Sequence, residues 1–273
     1  MKLGDVKIVF PLDVPTLERG RELMDDVGDH IDLPKVGLQL IHGVGTPAAI
    51  AMPKEFGKNP FLDAKLNDIP ATVREAAAEI TRHGVDCFNI MASGGRPMME
   101  AAMEGADKMA STLGIERPKV IAVTVLTSLS LKDLEEIGIL PMGLHRRISE
   151  ENQLDLIANM SEDEKQSAIT EIVMIWSEAA VKAGVDVILS SAKESLEVHS
   201  KWPKMDLYTP GIRMPYSPPD DQSRTLTPGE AVLRNAKYLV IGRPIRNPEG
   251  GRTRKQVIQE IRADIAQALA KAV

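Results

Sequence analysis

Apolar, β-branched runs recur along the chain at Lys7–Leu12, Lys35–Ile41, Pro60–Ala64, Cys87–Ala92, Val120–Leu126, Val185–Ser190, Met205–Thr209 and Tyr238–Ile241. Between them lie stretches with the period of a helix that buries one face, at Thr16–Val27, Ile69–His83, Pro97–Leu113, Glu171–Ala183 and Thr227–Asn235. The pattern predicts strands and helices in alternation. Several strands are near-continuous apolar runs, which suits parallel strands buried on both faces. Eight such strands suit a closed (β/α)8 TIM barrel. An open doubly wound sheet would use the same alternation, but the turn after the first strand reads Asp13-Val-Pro-Thr-Leu-Glu and carries no glycine-rich dinucleotide fingerprint. One domain spanning 1–273 is expected. A polar segment at about 138–167, in which Met160-Ser-Glu-Asp-Glu-Lys reads as a helix start, predicts a helical insertion between strands five and six.

Composition narrows the class. The 273 residues suffice for one barrel, which commonly needs about 250. A net charge of -6 with no basic stripe, and 3% aromatic residues, make nucleic acid a poor partner. The single cysteine, Cys87, excludes an internal disulfide and sits in an apolar run, which fits a reducing cytoplasm. No apolar run approaches the roughly 20 residues that span a bilayer, and Met1-Lys-Leu-Gly leads straight into a strand, so a soluble, unprocessed, cytoplasmic protein is expected.

The candidate chemistry begins at Phe61-Leu-Asp-Ala-Lys-Leu-Asn-Asp-Ile-Pro70. In a strand, side chains two apart share a face, so Asp63 and Lys65 are expected to point the same way, with Asp68 just beyond the strand end to join them. A motif of this kind is often only a solvated surface pair. Its weight comes from the other strand ends, because a barrel of this type builds its site there. Asp13, Lys35, Asp63, Lys65 and Asp68 form one expected zone, an alternating-charge network. Arg213, Gln222, Gly242 and Arg243 form a second zone late in the chain, where barrels commonly hold a phosphate. Arg243 supplies a planar fork of donors, Gly242 allows close approach of the backbone, and Gln222 lies on the proline-stiffened 214–224 loop that could fold over the ligand. A phosphorylated small molecule is the expected ligand.

The same segments resemble the orotidine 5′-phosphate decarboxylase family. The matching pieces, in order, are Leu12-Asp13, Lys35-Val-Gly, Phe61-Leu-Asp-Ala-Lys-Leu-Asn-Asp-Ile-Pro-Ala-Thr72, Ile121-Ala-Val-Thr-Val-Leu-Thr-Ser128, Thr209-Pro-Gly-Ile-Arg213, Asp221-Gln-Ser-Arg-Thr-Leu-Thr-Pro228 and Tyr238-Leu-Val-Ile-Gly-Arg-Pro-Ile245. The resemblance implies a barrel homodimer that converts orotidine 5′-monophosphate to UMP and carbon dioxide with no metal and no organic cofactor. It implies that Lys65 gives a proton to C6 of the pyrimidine, that Asp63 lies beside the departing carboxylate, and that Asp13 and Lys35 approach the ribose hydroxyls. It further implies that Asp68 and Thr72 reach the neighbouring subunit's site, that Thr127 contacts the pyrimidine, and that Gln222, Gly242 and Arg243 grip the phosphate with Arg213 at the same end.

The fourth strand departs from the family by reading Phe88-Asn-Ile-Met91, where many members carry a histidine; Met91 is expected to be core or pocket wall. The five histidines have no metal-ligand spacing. Two other functions remain open. One is a magnesium-dependent sugar-phosphate decarboxylase or aldolase of the same superfamily, which shares the Asp-Xaa-Lys-Xaa-Xaa-Asp element but is expected to lack the Asp-Gln-Xaa-Arg loop and the Ile-Gly-Arg-Pro ending. The other is a non-catalytic nucleotide-binding barrel, which is expected to lack the lysine.

Overall fold

A computed structural model describes residues 2–141, 143–144, 156–217 and 225–272. Eight parallel strands close into a barrel in sequence order: β1 (Lys7–Pro11), β2 (Leu33–Val36), β3 (Phe61–Leu66), β4 (Cys87–Met91), β5 (Lys119–Val123), β6 (Val187–Leu189), β7 (Asp206–Thr209) and β8 (Tyr238–Val240), with β8 pairing back to β1. Parallel neighbours need crossovers, and helices supply them. They are α1 (Leu17–Val27), α2 (Leu38–Val44), α3 (Thr46–Lys54), α4 (Pro70–Arg82), α5 (Arg96–Leu113), α6 (Leu131–Glu136), α7 (Leu156–Asn159), α8 (Glu162–Lys182), α9 (Ser195–Lys201), α10 (Pro228–Leu233), α11 (Arg243–Arg246) and α12 (Arg254–Lys271). No helix among the described residues is long and apolar enough to cross a membrane.

Caps explain several boundaries. Thr16, Ser161, Thr227 and Thr253 each accept a backbone N–H from the first turn of the helix that follows, and the last three close capping boxes with Glu164, Glu230 and Gln256. The predicted elements lie in the right order, with two corrections. The second strand is not Lys35–Ile41 but Leu33–Val36; Gly37 ends it, and Leu38 to Val44 coil into α2. A short apolar run carries no period long enough to separate strand from helix. The helices α2, α3, α6, α9, α11 and α12 have no counterpart in the predicted pattern. The helix start expected at Met160-Ser-Glu-Asp-Glu-Lys is present, with α8 beginning at Glu162 behind the Ser161 cap; residues 142 and 145–155 of the polar stretch lie outside the described residues.

Two apolar layers surround the strands. One fills the space between barrel and helices, with Ile8, Phe10, Leu62, Phe88, Met98 and Ile261 among its buried members. Met98 and Met99 of α5 are fully buried there. The other lies inside the barrel and takes one residue from each strand: Val9, Leu33, Phe61, Cys87, Ile121, Val187, Tyr208 and Val240. The Tyr208 ring meets the Phe61 ring edge-on at 5.7 Å and stacks on Tyr238 at 4.2 Å, closing this floor with aromatic area.

Candidate active site

Side chains alternate along a strand, so the residue two beyond each member of the inner floor also points inward, one step nearer the C-terminal mouth. Those positions are Pro11, Lys35, Asp63, Asn89, Val123, Leu189, Pro210 and Gly242. A cavity of about 250 Å³ opens directly on seven of these eight, and its walls add Asp13, Lys65, Thr127, Arg213, Arg243 and Arg246. The layer is divided: β2, β3 and β4 contribute polar groups, whereas β5, β6 and β7 contribute Val123, Leu189 and Pro210. A larger concavity, about 610 Å³, lies at the opposite mouth, where several charges are engaged with one another, Lys7 with Asp32 at 3.4 Å and Lys119 with Asp206 at 3.1 Å. The smaller cavity has the convergent groups, at the end where barrels of this type work.

Asp63 is the centre of the polar half. Its Oδ2 accepts from Lys35 Nζ at 2.5 Å, and its Oδ1 accepts from Lys65 Nζ at 2.5 Å and from Asn89 Nδ2 at 2.6 Å. Lys35 and Asp63 are each only 8% exposed and Asn89 is fully buried, whereas the Lys65 side chain remains 31% exposed and lines the cavity. Burial alone would raise the Asp63 carboxyl; the charges of Lys35 and Lys65 and their hydrogen bonds outweigh it and hold that carboxyl well below the ordinary carboxylate range. Burial likewise pulls Lys35 down, and the charges of Asp63 and Asp13 overcome it, leaving the ammonium above the ordinary lysine value. The network continues outward: Asp13 Oδ1 lies 3.8 Å from Lys35 Nζ, Asp13 Oδ2 lies 3.4 Å from Arg246 Nη1, and the same guanidinium donates to the Asp13 carbonyl at 3.0 Å. Gly37 has extended backbone that any residue could adopt, but a Cβ there would stand 3.0 Å from Asp13 Oδ1 and 3.3 Å from Lys35 Nζ. Its missing side chain leaves room for the charges.

The route by which Lys65 reaches Asp63 differs from the sequence expectation. Simple alternation would suffice in a regular strand, but β3 is interrupted. Leu62 pairs with Phe88 and Leu66 with Ile90, so three residues, Asp63, Ala64 and Lys65, stand opposite Asn89 alone. Lys65 takes a left-handed backbone, φ 49°, and its N–H is received by Asn89 Oδ1 at 2.7 Å. For a residue with a Cβ that conformation costs on the order of 1–3 kcal/mol, and outliers of this kind gather at functional sites.

Of the sequence-predicted residues, the structure brings Asp13, Lys35, Asp63, Lys65, Thr127, Arg213, Gly242 and Arg243 around one cavity. Asp68 is a correction. It does not join the lysines; it is exposed, and its Oδ1 accepts from the Ile69 N–H at 2.7 Å, because the chain turns away into α4 immediately after β3. Thr72 is exposed on the first turn of α4, outside the cavity. Gln222 lies outside the described residues, although the ends of its loop are joined where Arg213 N–H donates to the Leu226 carbonyl at 2.9 Å. Gly94-Gly95 turns the chain after β4: a Cβ on Gly94 would collide with the Met98 sulfur, and Gly95 has φ 84°. Met91 is half-buried and does not line the cavity. Sequence reasoning missed Asn89 and Arg246. An uncharged polar residue inside the apolar run Cys87-Phe-Asn-Ile-Met91 was the available signal for the first; nothing local marked the second.

Comparison with known proteins finds relatives that match nearly the whole chain. The profile of the family described as "Orotidine 5'-phosphate decarboxylase / HUMPS family" matches residues 7–255. The chain is 37% identical over 241 residues to the orotidine 5'-phosphate decarboxylase of Moorella thermoacetica, covering 88% of this chain and 85% of that one. It is 35% identical over 259 residues to the orotidine 5'-phosphate decarboxylase of Geobacter sulfurreducens, covering 94% and 96%. The crystal structure of orotidine 5'-phosphate decarboxylase from Lactobacillus acidophilus superposes with a TM-score of 0.70 at 25% identity, covering 95% and 99%. With the barrel closed in the same way and the match running nearly end to end, the chain belongs to the orotidine 5'-phosphate decarboxylase / HUMPS family.

Proposed function

We propose that this protein decarboxylates orotidine 5′-monophosphate to UMP and carbon dioxide, a step of de novo pyrimidine biosynthesis, and that it does so with no metal or organic cofactor. The observation that carries the reading is the Lys35–Asp63–Lys65 chain, buried at Lys35 and Asp63 and reaching the cavity wall at Lys65. Loss of carbon dioxide breaks the bond to C6 and leaves the electron pair on that carbon, in the plane of the ring, where the π system cannot accept it. A fixed ammonium beside C6 is the direct way to stabilise such a charge as it develops. Lys65 then gives an N–H proton to C6 and regains one from solvent. Asp63, with Oδ1 and Oδ2 both taken by the lysines, holds the ammonium in place at no reorganisation cost during the reaction.

The rest of the cavity suits the rest of the nucleotide. Arg213, Gly242 and Arg243 grip the phosphate, Asp13 and Lys35 approach the ribose, and Thr127 contacts the pyrimidine beside the apolar wall of Val123 and Leu189; Gln222 is assigned to the phosphate by its sequence motif alone. Phosphate contacts made far from C6 supply binding energy that orders the site. Asp68 and Thr72, exposed at the start of α4 beside the 65%-exposed Ile69, face outward in a manner suited to completing a partner subunit's site in a homodimer. A cytoplasmic location accords with the single buried thiol of Cys87.

The magnesium-dependent reading is less well supported because the Lys35 ammonium already sits between the Asp13 and Asp63 carboxylates. The deciding experiment follows the absorbance loss on adding orotidine 5′-monophosphate to chelator-treated protein, with Lys65→Ala alongside. Turnover in the parent and a loss of roughly a thousand-fold or more in the variant is expected. An inert parent that gains activity toward sugar phosphates with magnesium would reverse the assignment.

A further inference from the structure

The bulge in β3 is fastened by one side chain, and that side chain belongs to the neighbouring strand. Asn89 is fully buried within β4, between Phe88 and Ile90, which pack in the outer apolar layer. An amide so placed is tolerated only when its groups are bonded. Here the oxygen and the nitrogen have separate partners. Oδ1 receives the backbone N–H of Lys65 at 2.7 Å, and Nδ2 donates to the Asp63 carboxylate at 2.6 Å. The partners themselves fix which end is which, since an N–H requires an acceptor and a carboxylate requires a donor. Because three residues of β3 stand against Asn89 alone, the ladder has no regular backbone partner for the Lys65 N–H, and the Asn89 amide stands in for it.

We propose that Asn89 is the positioning residue of the Lys65–Asp63 pair: it clasps the left-handed backbone of Lys65 and the carboxylate that holds its ammonium, and so aims the proton donor at C6. The proposal rests on the decarboxylase reading. The residue type follows from the need for one acceptor and one donor on a single short side chain. Aspartate has the same shape and keeps the acceptor, but when ionised it cannot donate to Asp63 and adds a second buried carboxylate beside it. Alanine keeps neither bond. Both variants leave the phosphate-end groups Arg213, Gly242 and Arg243 untouched.

The test measures kcat and KM for orotidine 5′-monophosphate, UMP affinity and thermal midpoint in the parent, Asn89→Ala and Asn89→Asp. A misaimed lysine is expected to lower kcat on the order of 100-fold in both variants, as displacements of about 1 Å do. KM and UMP affinity are expected to stay within about threefold, because binding is carried by groups outside the clasp. Parental kcat in either variant would overturn the assignment. So would a parallel loss of UMP binding and of the folding transition, which would make Asn89 a residue of the core only. An inert parent would instead overturn the decarboxylase reading, so the two failures are distinct.

Discussion

Two layers of the same three strands, separated by two residues, have opposite chemistry. On β2, β3 and β4 the lower layer is Leu33, Phe61 and Cys87; the upper is Lys35, Asp63 and Asn89. Burial does not distinguish them, since every one of the six is less than 9% exposed. The difference lies in compensation. The lower layer needs only shape, and Phe61 finds it against Tyr208. The upper must answer each charge, at a desolvation penalty of several kcal/mol per ion, and a buried ion pair is weak evidence for stability. Strand pairing alone would accept apolar residues at all six positions. The charged layer is therefore retained for what faces it, the cavity.

That contrast can be broken first at its centre. Asp63→Ala leaves the Lys35 ammonium buried without its main counter-charge and is expected to destabilise the fold by about 3–5 kcal/mol, whereas the joint replacement Lys35→Met with Asp63→Leu restores most of that stability while remaining inactive. Denaturant unfolding of the two variants, with a turnover assay, checks it; a double variant no more stable than the single would mean that the charges carry the fold.

A charge at the rim is expected to behave oppositely. Arg243→Ala should lower kcat/KM on the order of 100-fold, equivalent to about 2.7 kcal/mol, with the thermal midpoint unchanged. The lower layer is expected to be the more forgiving: Phe61→Leu should cost less than about 1.5 kcal/mol and leave kcat at the parental value. A large fall in kcat there would mean that the floor, too, aims the chemistry.

The smallest effect is in pH. Asp63 is held below its unfolded value, so its contribution is complete above the ordinary carboxylate pKa of about 3.9 and is lost as pH falls through the folded value. Lys35 is held above its unfolded value, so its contribution is complete below about 10.4 and is lost as pH rises through the folded value. The difference in thermal midpoint between the parent and the Lys35→Met, Asp63→Leu variant is expected to be flat from about pH 5 to about pH 9 and to change only outside that window. A slope across neutrality would identify another titrating partner.

The strands and the charged groups at their ends were legible because both signals are local. A run of branched apolar residues reports a buried strand wherever it lies, and Asp63 and Lys65 are two residues apart on one of them. The error at Lys35–Ile41 has the same origin, since Leu38 to Ile41 is apolar in a helix as in a strand. Asp68 was drawn into the network by proximity in sequence, but the turn into α4 directs it elsewhere.

By itself, then, the sequence determined the alternation of strands and helices, the acid and the lysines as site candidates, and the cationic candidates Arg213 and Arg243, all of which follow from periodicity and position along a strand. Only the tertiary structure decided how Lys65 meets Asp63. The bulge, the left-handed backbone and the Asn89 clasp depend on the register between β3 and β4, and the Arg246 contact with Asp13 joins residues 233 positions apart. Such contacts have no local signature because they exist only once separate strands have paired, β4 beside β3 for the clasp and the last strand beside the first for Arg246.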